Sequence, residues 1–514
     1  MKKSNLKKNY IYNVIYQILV IIIPIIVTPY VSRVLMPEGI GQYSFSYSLI
    51  TYFTIFANMG YNIYAQREIA ACGDDKQKQS IIFWEINLSR ILFVGISLAV
   101  NLILVVSGVY DKYSLLMLLL SINILAIAFD ISFYYQGNEE FGKMVFVNII
   151  IKLLGTASIF VFVKDFNDVW IYTLLNSLVL IGSNLVMWIF LKNRLLKVKI
   201  KDLKPQRHFK GSFKLFIPTI ATSLYTVLDK SLIGIITGSD AQNGYYESAE
   251  KIVRFAMTII TCWGTVMIPR NVHEISNGNY EQVNKNSYKV IHFVWLLGLP
   301  MMFGFIAVAS NVIPWFLGDG YEPSIILMQV FSALVIFIGM SNVLGMQYLV
   351  PFKRDKEFTI AITSGAITNV VLNIPLIFWL DALGATISSV IAEFVVTLIM
   401  LIELRKNLSI KEIIKSAIKP LIASIIIFAV IYPLSFYFSP SILNTFIIVL
   451  VGIVIYGIVI LILKDKLVFN VLGQIKDKFF KKSENIKLIS SEKKEELKEI
   501  PEEKAEEKEE NKKQ

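Results

Sequence analysis

Long apolar runs separated by short polar segments dominate this sequence. Runs of about 20 residues can cross the hydrocarbon layer of a membrane, about 30 Å thick, as single helices. The separators contain Gly, Asn, Asp and Pro, which end helices and form turns. The pattern predicts an all-α, polytopic membrane protein with about 14 transmembrane helices. The predicted spans are residues 14–35, 43–62, 81–107, 114–134, 144–163, 169–191, 213–237, 245–268, 290–312, 324–349, 358–379, 384–404, 418–438 and 443–463.

The amino-acid composition supports a membrane protein. Hydrophobic residues make up 55% of the 514 residues and charged residues only 17%, whereas soluble domains are about 25% charged. This composition argues against a soluble enzyme, a disordered protein and a single-pass receptor. The formal net charge is +11. We attribute it to cytoplasmic loops, which carry excess Lys and Arg in membrane proteins, and expect no nucleic acid partner.

The distribution of basic residues predicts the orientation of the chain. Loops on the same side as the N-terminus are rich in Lys and Arg, above all the 192–210 loop, and the opposite loops contain few of either. Because the positive charge of membrane proteins is concentrated in cytoplasmic loops, both termini are predicted to lie in the cytoplasm.

A weak internal repeat suggests that the chain has two similar halves. Gly41-Gln-Tyr-Ser opens the second span and Gly244-Tyr-Tyr-Glu opens the eighth. Glu140-Phe141 precedes the fifth span and Glu357-Phe358 precedes the eleventh. Six spans separate the copies, so both copies keep the same orientation. A parallel repeat of this kind is an architecture of alternating-access transporters.

Ionisable residues inside the predicted spans are the main candidates for function. Each costs about 2.5–3.5 kcal/mol to insert into hydrocarbon, so it should face a polar cavity or a partner. One group lies in spans three to five and consists of Glu85, Arg90, Asp130 and Lys152. A second group lies in spans seven and eight and consists of Asp229, Lys230, Glu247, Glu250, Lys251 and Arg254, which Arg33 and Glu393 could join.

Two interpretations of these charges are open. The side chains can neutralise each other and lock helices together, as Glu250 and Arg254 would at i,i+4 spacing. They can instead line a hydrated transport pathway, which would explain why the chain bears the summed cost of inserting them. We favour the pathway for the set as a whole.

Signatures of catalysis are absent from the sequence. The three histidines have no zinc-like spacing, and there is no phosphate-binding GxxxxGK[ST] motif. We therefore expect no catalytic residues, no metal and no cofactor, and we do not expect an enzyme. The predicted outer loops are also too short to form an extracytoplasmic catalytic domain.

Several motifs, in order along the chain, resemble those of a known family. They are Val31–Tyr43 (VSRVLMPEGIGQY), Ala65–Ala70, Tyr135-Gln-Gly137 with Glu139, Asp229-Lys230 with Gly234, Gly244–Lys251, Pro269-Arg270 and Gly318–Tyr321. Together with about 14 spans, they resemble Wzx-type oligosaccharide flippases of the multidrug/oligosaccharidyl-lipid/polysaccharide exporter superfamily. The resemblance covers roughly residues 5 to 460.

The resemblance implies two pseudo-symmetric six-helix lobes plus two C-terminal helices. The lobes correspond to an N-terminal lobe at 1–191 and a C-terminal lobe at 213–404, followed by spans 13 and 14 at 405–463. The residues themselves predict a basic cytoplasmic linker at 192–212, and a cytoplasmic amphipathic segment with a disordered Lys/Glu tail at 464–514.

The resemblance also implies a function. Members move undecaprenyl-diphosphate-linked oligosaccharide repeat units from the inner to the outer face of the bacterial cytoplasmic membrane, for surface polysaccharide synthesis. The candidates for a cationic, substrate-binding cavity are Arg33, Arg90, Lys152, Lys230, Lys251 and Arg254. The candidates for coupling transport to an ion are Asp130, Asp229, Glu250 and Glu393, which nearly cancel those cations.

The expected partners are the lipid-linked oligosaccharide and membrane lipids, together with a polysaccharide polymerase and glycosyltransferases. Two alternatives remain open. One is a drug or metabolite/cation antiporter of the same superfamily. The other, from a different class, is a membrane-embedded polysaccharide polymerase.

Overall fold

The computed structural model describes residues 6–192, 194–470 and 473. In this described part, helices joined by short turns account for the whole architecture, so the predicted all-α class is confirmed. The helices are α1 (Leu6–Asn58), α2 (Tyr61–Ala71), α3 (Lys76–Val106), α4 (Ser114–Phe129), α5 (Ser132–Gly137), α6 (Phe141–Phe162), α7 (Val169–Ile189), α8 (Phe209–Thr237), α9 (Asp240–Ser276), α10 (Tyr280–Leu317), α11 (Pro323–Phe331), α12 (Leu334–Ser341), α13 (Asp355–Leu404), α14 (Ile410–Tyr437) and α15 (Ile442–Ile462). A π-helical stretch, Asn342–Leu349, continues α12. The predicted amphipathic segment beyond residue 470 and the Lys/Glu tail fall outside the described residues, Gly473 apart.

Two of the long helices are each broken into two segments. Helix α1 breaks at Met36, which has φ 57° and ψ 175°. Pro37 follows directly, and a proline disfavours the helical conformation of the residue before it. Helix α13 breaks at Asp381, which has φ 50° and ψ −132°. Each helix therefore contains two of the predicted spans, joined by a sharp turn.

Nine helical segments in the described part of the chain are long and apolar enough to cross a membrane. They cover ten of the predicted spans, because the segment Asp355–Leu404 contains two. The remaining four predicted spans correspond to α1, α8 and α9. A polytopic membrane protein is therefore confirmed, and the count of fourteen spans stays a prediction.

The helices pack as two bundles with an added pair. We call α1–α7 the N-terminal lobe and α8–α13 the C-terminal lobe. Helices α14 and α15 pack on the C-terminal lobe through α10. The Tyr456 hydroxyl donates to the carbonyl oxygen of Leu296 at 2.6 Å, and Trp315 Nε1 donates to Thr445 Oγ1 at 2.7 Å.

The segment between the lobes is anchored on the N-terminal lobe. The Glu85 carboxylate, which is 1% exposed, accepts a hydrogen bond from the main-chain N–H of Lys204 at 2.7 Å and lies 2.5 Å from the Arg207 guanidinium. His208 Nε2 lies 2.8 Å from the same carboxylate, and Tyr64 Oη lies 3.0 Å from His208 Nδ1. These contacts hold the start of α8 against α2 and α3.

The lobes meet where α1 crosses α9. A Cβ atom added to Gly41 would lie 1.7 Å from the carbonyl oxygen of Asp240, and one added to Gly244 would lie 1.9 Å from that of Pro37. Only glycine permits so close an approach of two backbones. The two glycines belong to the two copies of the repeat, so equivalent motifs meet at one place. We call this region the crossing end of the bundle.

Candidate functional site

A cavity of about 250 Å³ lies between the two lobes, next to the crossing end. Helices α1, α6 and α7 form most of its wall, and α9 closes the remaining side. Lys152 enters it from α6 and Lys251 from α9. Two of the cations predicted from the sequence, one from each lobe, therefore line the same cavity.

A chain of charged side chains runs from this cavity along α9. Lys251 lies 3.3 Å from Glu247. Lys230, on α8, pairs with Glu247 and lies 3.1 Å from Glu250, and Arg254 lies 2.5 Å from Glu250. The α9 members have relative positions 0, 3, 4 and 7, which places them on one helical stripe.

The charged chain and the cavity together carry excess positive charge. The row of ion pairs contains three cations and two carboxylates, which leaves one positive charge, and Lys152 lines the adjoining cavity. The Ser44 hydroxyl of the N-terminal lobe also donates to Glu247 at 3.2 Å. The site is therefore shared by both lobes and is suited to an anionic group.

Arg33 lies at the crossing end rather than on the cavity wall. Its exposed side chain donates to the carbonyl oxygen of Trp315. The hydroxyl of the adjacent Ser32 donates to the carbonyl oxygen of Leu317 at 3.0 Å. Lys112 and Asp240 form a further contact between the lobes, at 2.7 Å. Arg33 therefore helps to hold the two lobes together at this end.

Arg90 and Asp130 lie together inside the N-terminal lobe. The fully buried Arg90 guanidinium donates to the main-chain oxygen of Asp130 at 2.6 Å and to Asn87 Oδ1 at 2.7 Å. The Asp130 carboxylate accepts from Asn62 Nδ2 at 2.8 Å. Helix α4 ends at Asp130, and Arg90 satisfies main-chain oxygens exposed by that break. These contacts match the helix-locking interpretation of the charges.

Asp229 occupies a separate polar pocket in the C-terminal lobe. Its buried carboxylate accepts from the Tyr246 hydroxyl at 2.5 Å, from Asn373 Nδ2 at 2.6 Å and from the Ser389 hydroxyl. Lys230, the next residue, points instead to the charged chain. Two adjacent residues of α8 thus serve two different sites.

Glu393 lines a second cavity, of about 190 Å³, between α13, α12 and the π-helical stretch. Ser341 and Asn342 supply further polar groups there. The four predicted ion-coupling residues therefore lie in four different surroundings.

Several polar residues of these sites were missed among the candidates chosen from the sequence. Glu247 belongs to the stripe on α9 and was left out of the ion-coupling set. Asn373 and Ser389, which donate hydrogen bonds to Asp229, are uncharged and were not selected from the sequence. One feature of the sequence could have revealed the site: Asn369 and Asn373 are four residues apart in an apolar span, so both lie on one face of the helix.

The sequence matches a known family and several curated proteins. The family described as "Polysaccharide biosynthesis protein" matches residues 6–273. A protein of Escherichia coli (strain K12), named "Putative O-antigen transporter", is 25% identical over 413 residues, covering 79% of this chain and 98% of that protein. The "Lipid II flippase MurJ" of Bacillus subtilis (strain 168) is 22% identical over 183 residues, which is 34% of this chain and 33% of that protein.

Two solved structures share the fold. The lipid II flippase MurJ in an inward closed conformation has a TM-score of 0.68 and 17% identity, covering 90% of this chain and 99% of that one. An inward-facing multidrug resistance MATE family transporter of the MOP superfamily has a TM-score of 0.63 and 14% identity. This match covers 79% of this chain and 99% of that one. The family match and the O-antigen transporter relative confirm the resemblance to Wzx-type proteins. Since the family match spans more than half of its length, the chain belongs to the polysaccharide biosynthesis protein family.

Proposed function

We propose that this protein is a flippase for lipid-linked oligosaccharides. Its substrate is an undecaprenyl-diphosphate-linked repeat unit, which it moves from the inner to the outer face of the bacterial cytoplasmic membrane for surface polysaccharide synthesis. Family membership and the names of the relatives support a transporter of this kind. The observation that carries the proposal is the pair Lys152 and Lys251, contributed by opposite lobes to one cavity.

The charge of the cavity suits the diphosphate. A diphosphate diester carries two negative charges, and the ion pairs along α9 leave one positive charge beside a cavity that Lys152 also lines. The headgroup is too polar to cross hydrocarbon unaided. In this mechanism Lys152 and Lys251 hold the diphosphate while the polyprenyl tail remains in the lipid.

Transport proceeds by alternating access, in which the lobes rock around a fixed site. The crossing end is the outer end if the termini are cytoplasmic, as the charge pattern predicts. Backbone contact at Gly41 and Gly244 then closes the outer side, and the pair Lys112 and Asp240 adds to the closure. Release of the substrate at the outer face requires these contacts to separate.

Asp229 is the proposed coupling residue. Its carboxylate is buried among the hydroxyl and amide groups of Tyr246, Asn373 and Ser389. Such a group can take up H⁺ or Na⁺ when the balance of its hydrogen bonds changes. Glu250 is a weaker candidate because Lys230 and Arg254 already neutralise it.

The test is reconstitution of the protein in liposomes with a fluorescent undecaprenyl-diphosphate-linked oligosaccharide. Lys152→Ala and Lys251→Ala should each lower the transport rate about tenfold or more, since a charge-assisted bond to phosphate contributes about 1.5–3 kcal/mol. Lys201→Ala, which removes an exposed linker lysine, serves as the matched control and should transport normally.

Two results would count against the proposal. Normal rates in both cavity variants, at equal protein levels, would remove the two lysines from the mechanism. Absence of lipid transport by the wild-type protein, together with export of cationic drugs, would favour an antiporter instead.

A further inference from the structure

The cavity lined by Glu393 lies directly beside the Asp229 pocket. On the second segment of α13, Ser389 donates a hydrogen bond to Asp229, and Glu393 follows Ser389 by four residues. That spacing places both side chains on one helix face, about 6 Å apart along the axis. On the first segment of α13, Asn369 donates to Ser389 at 3.5 Å, and Ile362, seven residues earlier, lines the cavity. The pocket and the Glu393 cavity therefore follow each other along the same pair of helical segments.

The Glu393 cavity lies farther from the crossing end than the pocket does. The two segments of α13 join at the crossing end, where the main-chain N–H of Ala382 donates to Gln242 Oε1 at 3.3 Å. Gln242 lies in the first turn of α9, which begins there. Glu393 is farther along α13 from this join than Ser389 is. A cation that leaves Asp229 for the cavity therefore moves away from the crossing end.

The Glu393 cavity offers oxygen ligands for a small cation. Its polar lining consists of the Glu393 carboxylate, the Ser341 hydroxyl and the Asn342 amide, and no lysine or arginine is among the described residues that line it. Oxygen atoms of this kind are the ligands that hard cations prefer. Asn342 also begins the π-helical stretch, and π-helical turns are frequent at functional sites. An ionisable residue inside a membrane span is costly and marks ion and proton pathways. The cavity therefore suits H⁺ or Na⁺ better than an anion.

A row of amide side chains continues from the cavity toward the opposite end of the bundle. Gln347 Nε2 donates to Asn342 Oδ1 at 3.1 Å, and Asn271 Nδ2 donates to the main-chain oxygen of Gln347 at 2.8 Å. Asn286 Nδ2 donates to Asn271 Oδ1 at 3.3 Å, and Gln282 Nε2 donates to Asn286 Oδ1 at 3.0 Å. We call these five residues the amide row. It joins the π-helical stretch to the end of α9 and the start of α10.

The amide row passes from the interior to the surface. Asn271, Asn286 and Gln347 are each no more than 2% exposed. Gln282 is half-buried in the first turn of α10, next to Glu281, whose side chain is 84% exposed. Within the described residues, the buried Gln347 Oε1 accepts no hydrogen bond. The row thus connects the Glu393 cavity with the surface and contains an oxygen atom that can still accept a ligand.

We propose that the Glu393 cavity receives the coupling cation from Asp229 and passes it along the amide row to the end of the bundle opposite the crossing end. The inference rests on the proposed function, which assigns the coupling cation to Asp229, and it adds the route by which that cation leaves. The amides carry the cation by exchanging their mutual hydrogen bonds for contacts with it. If the termini are cytoplasmic, this end is the inner face.

Helix locking is the alternative role for the amide row. It explains the hydrogen bonds between the amides, which join α9, α10 and the π-helical stretch. Locking alone leaves the carboxylate of Glu393 and its cavity without a role, although the carboxylate is costly to insert. The two roles also differ in what a variant changes, since a lock affects folding and a route affects the rate of cation movement.

The test follows cation movement into liposomes that contain the full-length protein and the lipid-linked oligosaccharide. Entry of Na⁺ is measured with a radioactive label and entry of H⁺ with a trapped pH-sensitive dye. Equilibrium binding of the same cation is measured on the protein in detergent. Glu393→Gln should slow cation movement about tenfold or more, as the loss of a contact with a charged group predicts. Its equilibrium affinity should stay within about twofold of the wild-type value, since 1.4 kcal/mol would be needed for a tenfold change and Asp229 is intact.

Further variants separate transfer from folding and from binding. Glu393→Asp keeps a carboxylate and should recover part of the rate. Gln347→Leu interrupts the amide row and should slow cation movement as Glu393→Gln does. Asp229→Asn should lose the equilibrium binding that Glu393→Gln retains. Glu412→Gln, which removes an exposed carboxylate of α14, is the matched control and should behave as wild type. Melting temperatures establish that each variant is folded.

A wild-type rate of cation movement in Glu393→Gln would overturn the inference. An affinity that falls as much as the rate would also overturn it, because Glu393 would then belong to the binding site at Asp229. Failure of the proposed function has a different signature. In that case the wild-type protein moves no lipid-linked oligosaccharide, or Asp229→Asn leaves cation binding unchanged, and the inference fails with it.

Discussion

The backbones of Gly41 and Gly244 touch where the two lobes meet. A Cβ atom added to Gly41 would lie 3.0 Å from the main-chain nitrogen of Gly244, and even closer, at 1.7 Å, to the carbonyl oxygen of Asp240. The obstacle in both cases is backbone, which cannot swing aside as a flexible side chain can. Even a methyl group at Gly41 must therefore push α1 away from α9.

Gly41→Ala is expected to impair closure of the crossing end and to reduce transport about tenfold or more. Gly95→Ala is the matched control, since Gly95 is also helical and a Cβ atom there meets nothing within 4 Å. The measurement is the transport rate, together with the labelling of a cysteine placed at Ser248 by a reagent added from outside. Labelling should rise in Gly41→Ala, and unchanged labelling and transport would show that the crossing end is not a gate.

Asp229→Asn is expected to remove the dependence of transport on an ion gradient. The substitution turns the buried carboxylate, which we propose binds the coupling cation, into a neutral amide of nearly the same shape. The initial rate should be measured with an inward or outward gradient of H⁺ or Na⁺ and without one. Asp381→Asn, at an exposed turn, should keep the wild-type response. A full gradient response in Asp229→Asn would assign coupling to another residue.

Arg90→Ala is expected to destabilise the N-terminal lobe. It leaves the main-chain oxygen of Asp130 and the side chain of Asn87 without their buried donor. Each unsatisfied buried group costs about 1–3 kcal/mol, so the melting temperature in detergent should fall by several degrees. Arg90→Lys should recover part of the loss. Normal stability combined with lost transport would instead support the substrate-binding role predicted from the sequence.

The anchor at His208 makes stability depend on pH. Burial lowers the pKa of His208 below its ordinary value, against the opposing effect of the nearby Glu85 carboxylate. The unfolded chain then binds a proton more readily than the folded chain, so stability is complete above the unfolded pKa of about 6.5. It falls as the pH drops below that value, toward the pKa of the folded state.

The measurement for His208 is the melting temperature between pH 7.5 and pH 5. The wild-type protein should lose stability over this range, and His208→Gln should show a smaller loss. His273→Gln, for which the exposed side chain lies at the end of α9, is the matched control and should follow the wild-type curve. If the melting temperature changed equally with pH in the wild-type protein and in both variants, the prediction would be contradicted.

Periodicity and charge predicted the parts of this molecule that depend on local sequence. Apolar runs gave the helices, and the break in α1 falls in the separator predicted between residues 35 and 43. The spacing of Glu247, Glu250, Lys251 and Arg254 gave one charged stripe, because helical geometry alone determines which residues share a face.

Contacts between distant helices could not be predicted in this way. Arg90 and Lys152 were equivalent in the sequence as cations within apolar spans. The structure buries Arg90 against main-chain oxygens and brings Lys152 to a cavity with Lys251, and this difference depends on which helices become neighbours. The pocket around Asp229 was missed for a related reason, since uncharged Asn and Ser are common in membrane helices.

Asp229 and Lys230 are consecutive residues, so their side chains leave α8 about 100° apart. A single rigid turn of helix thereby joins the buried carboxylate pocket to the ion pairs with Glu247 and Glu250. A rotation of α8 about its axis therefore moves both side chains through the same angle. If a cation enters at Asp229 as proposed, the rigid turn of α8 would transmit the change directly to the ion pairs of Lys230, without a relay of intermediate residues.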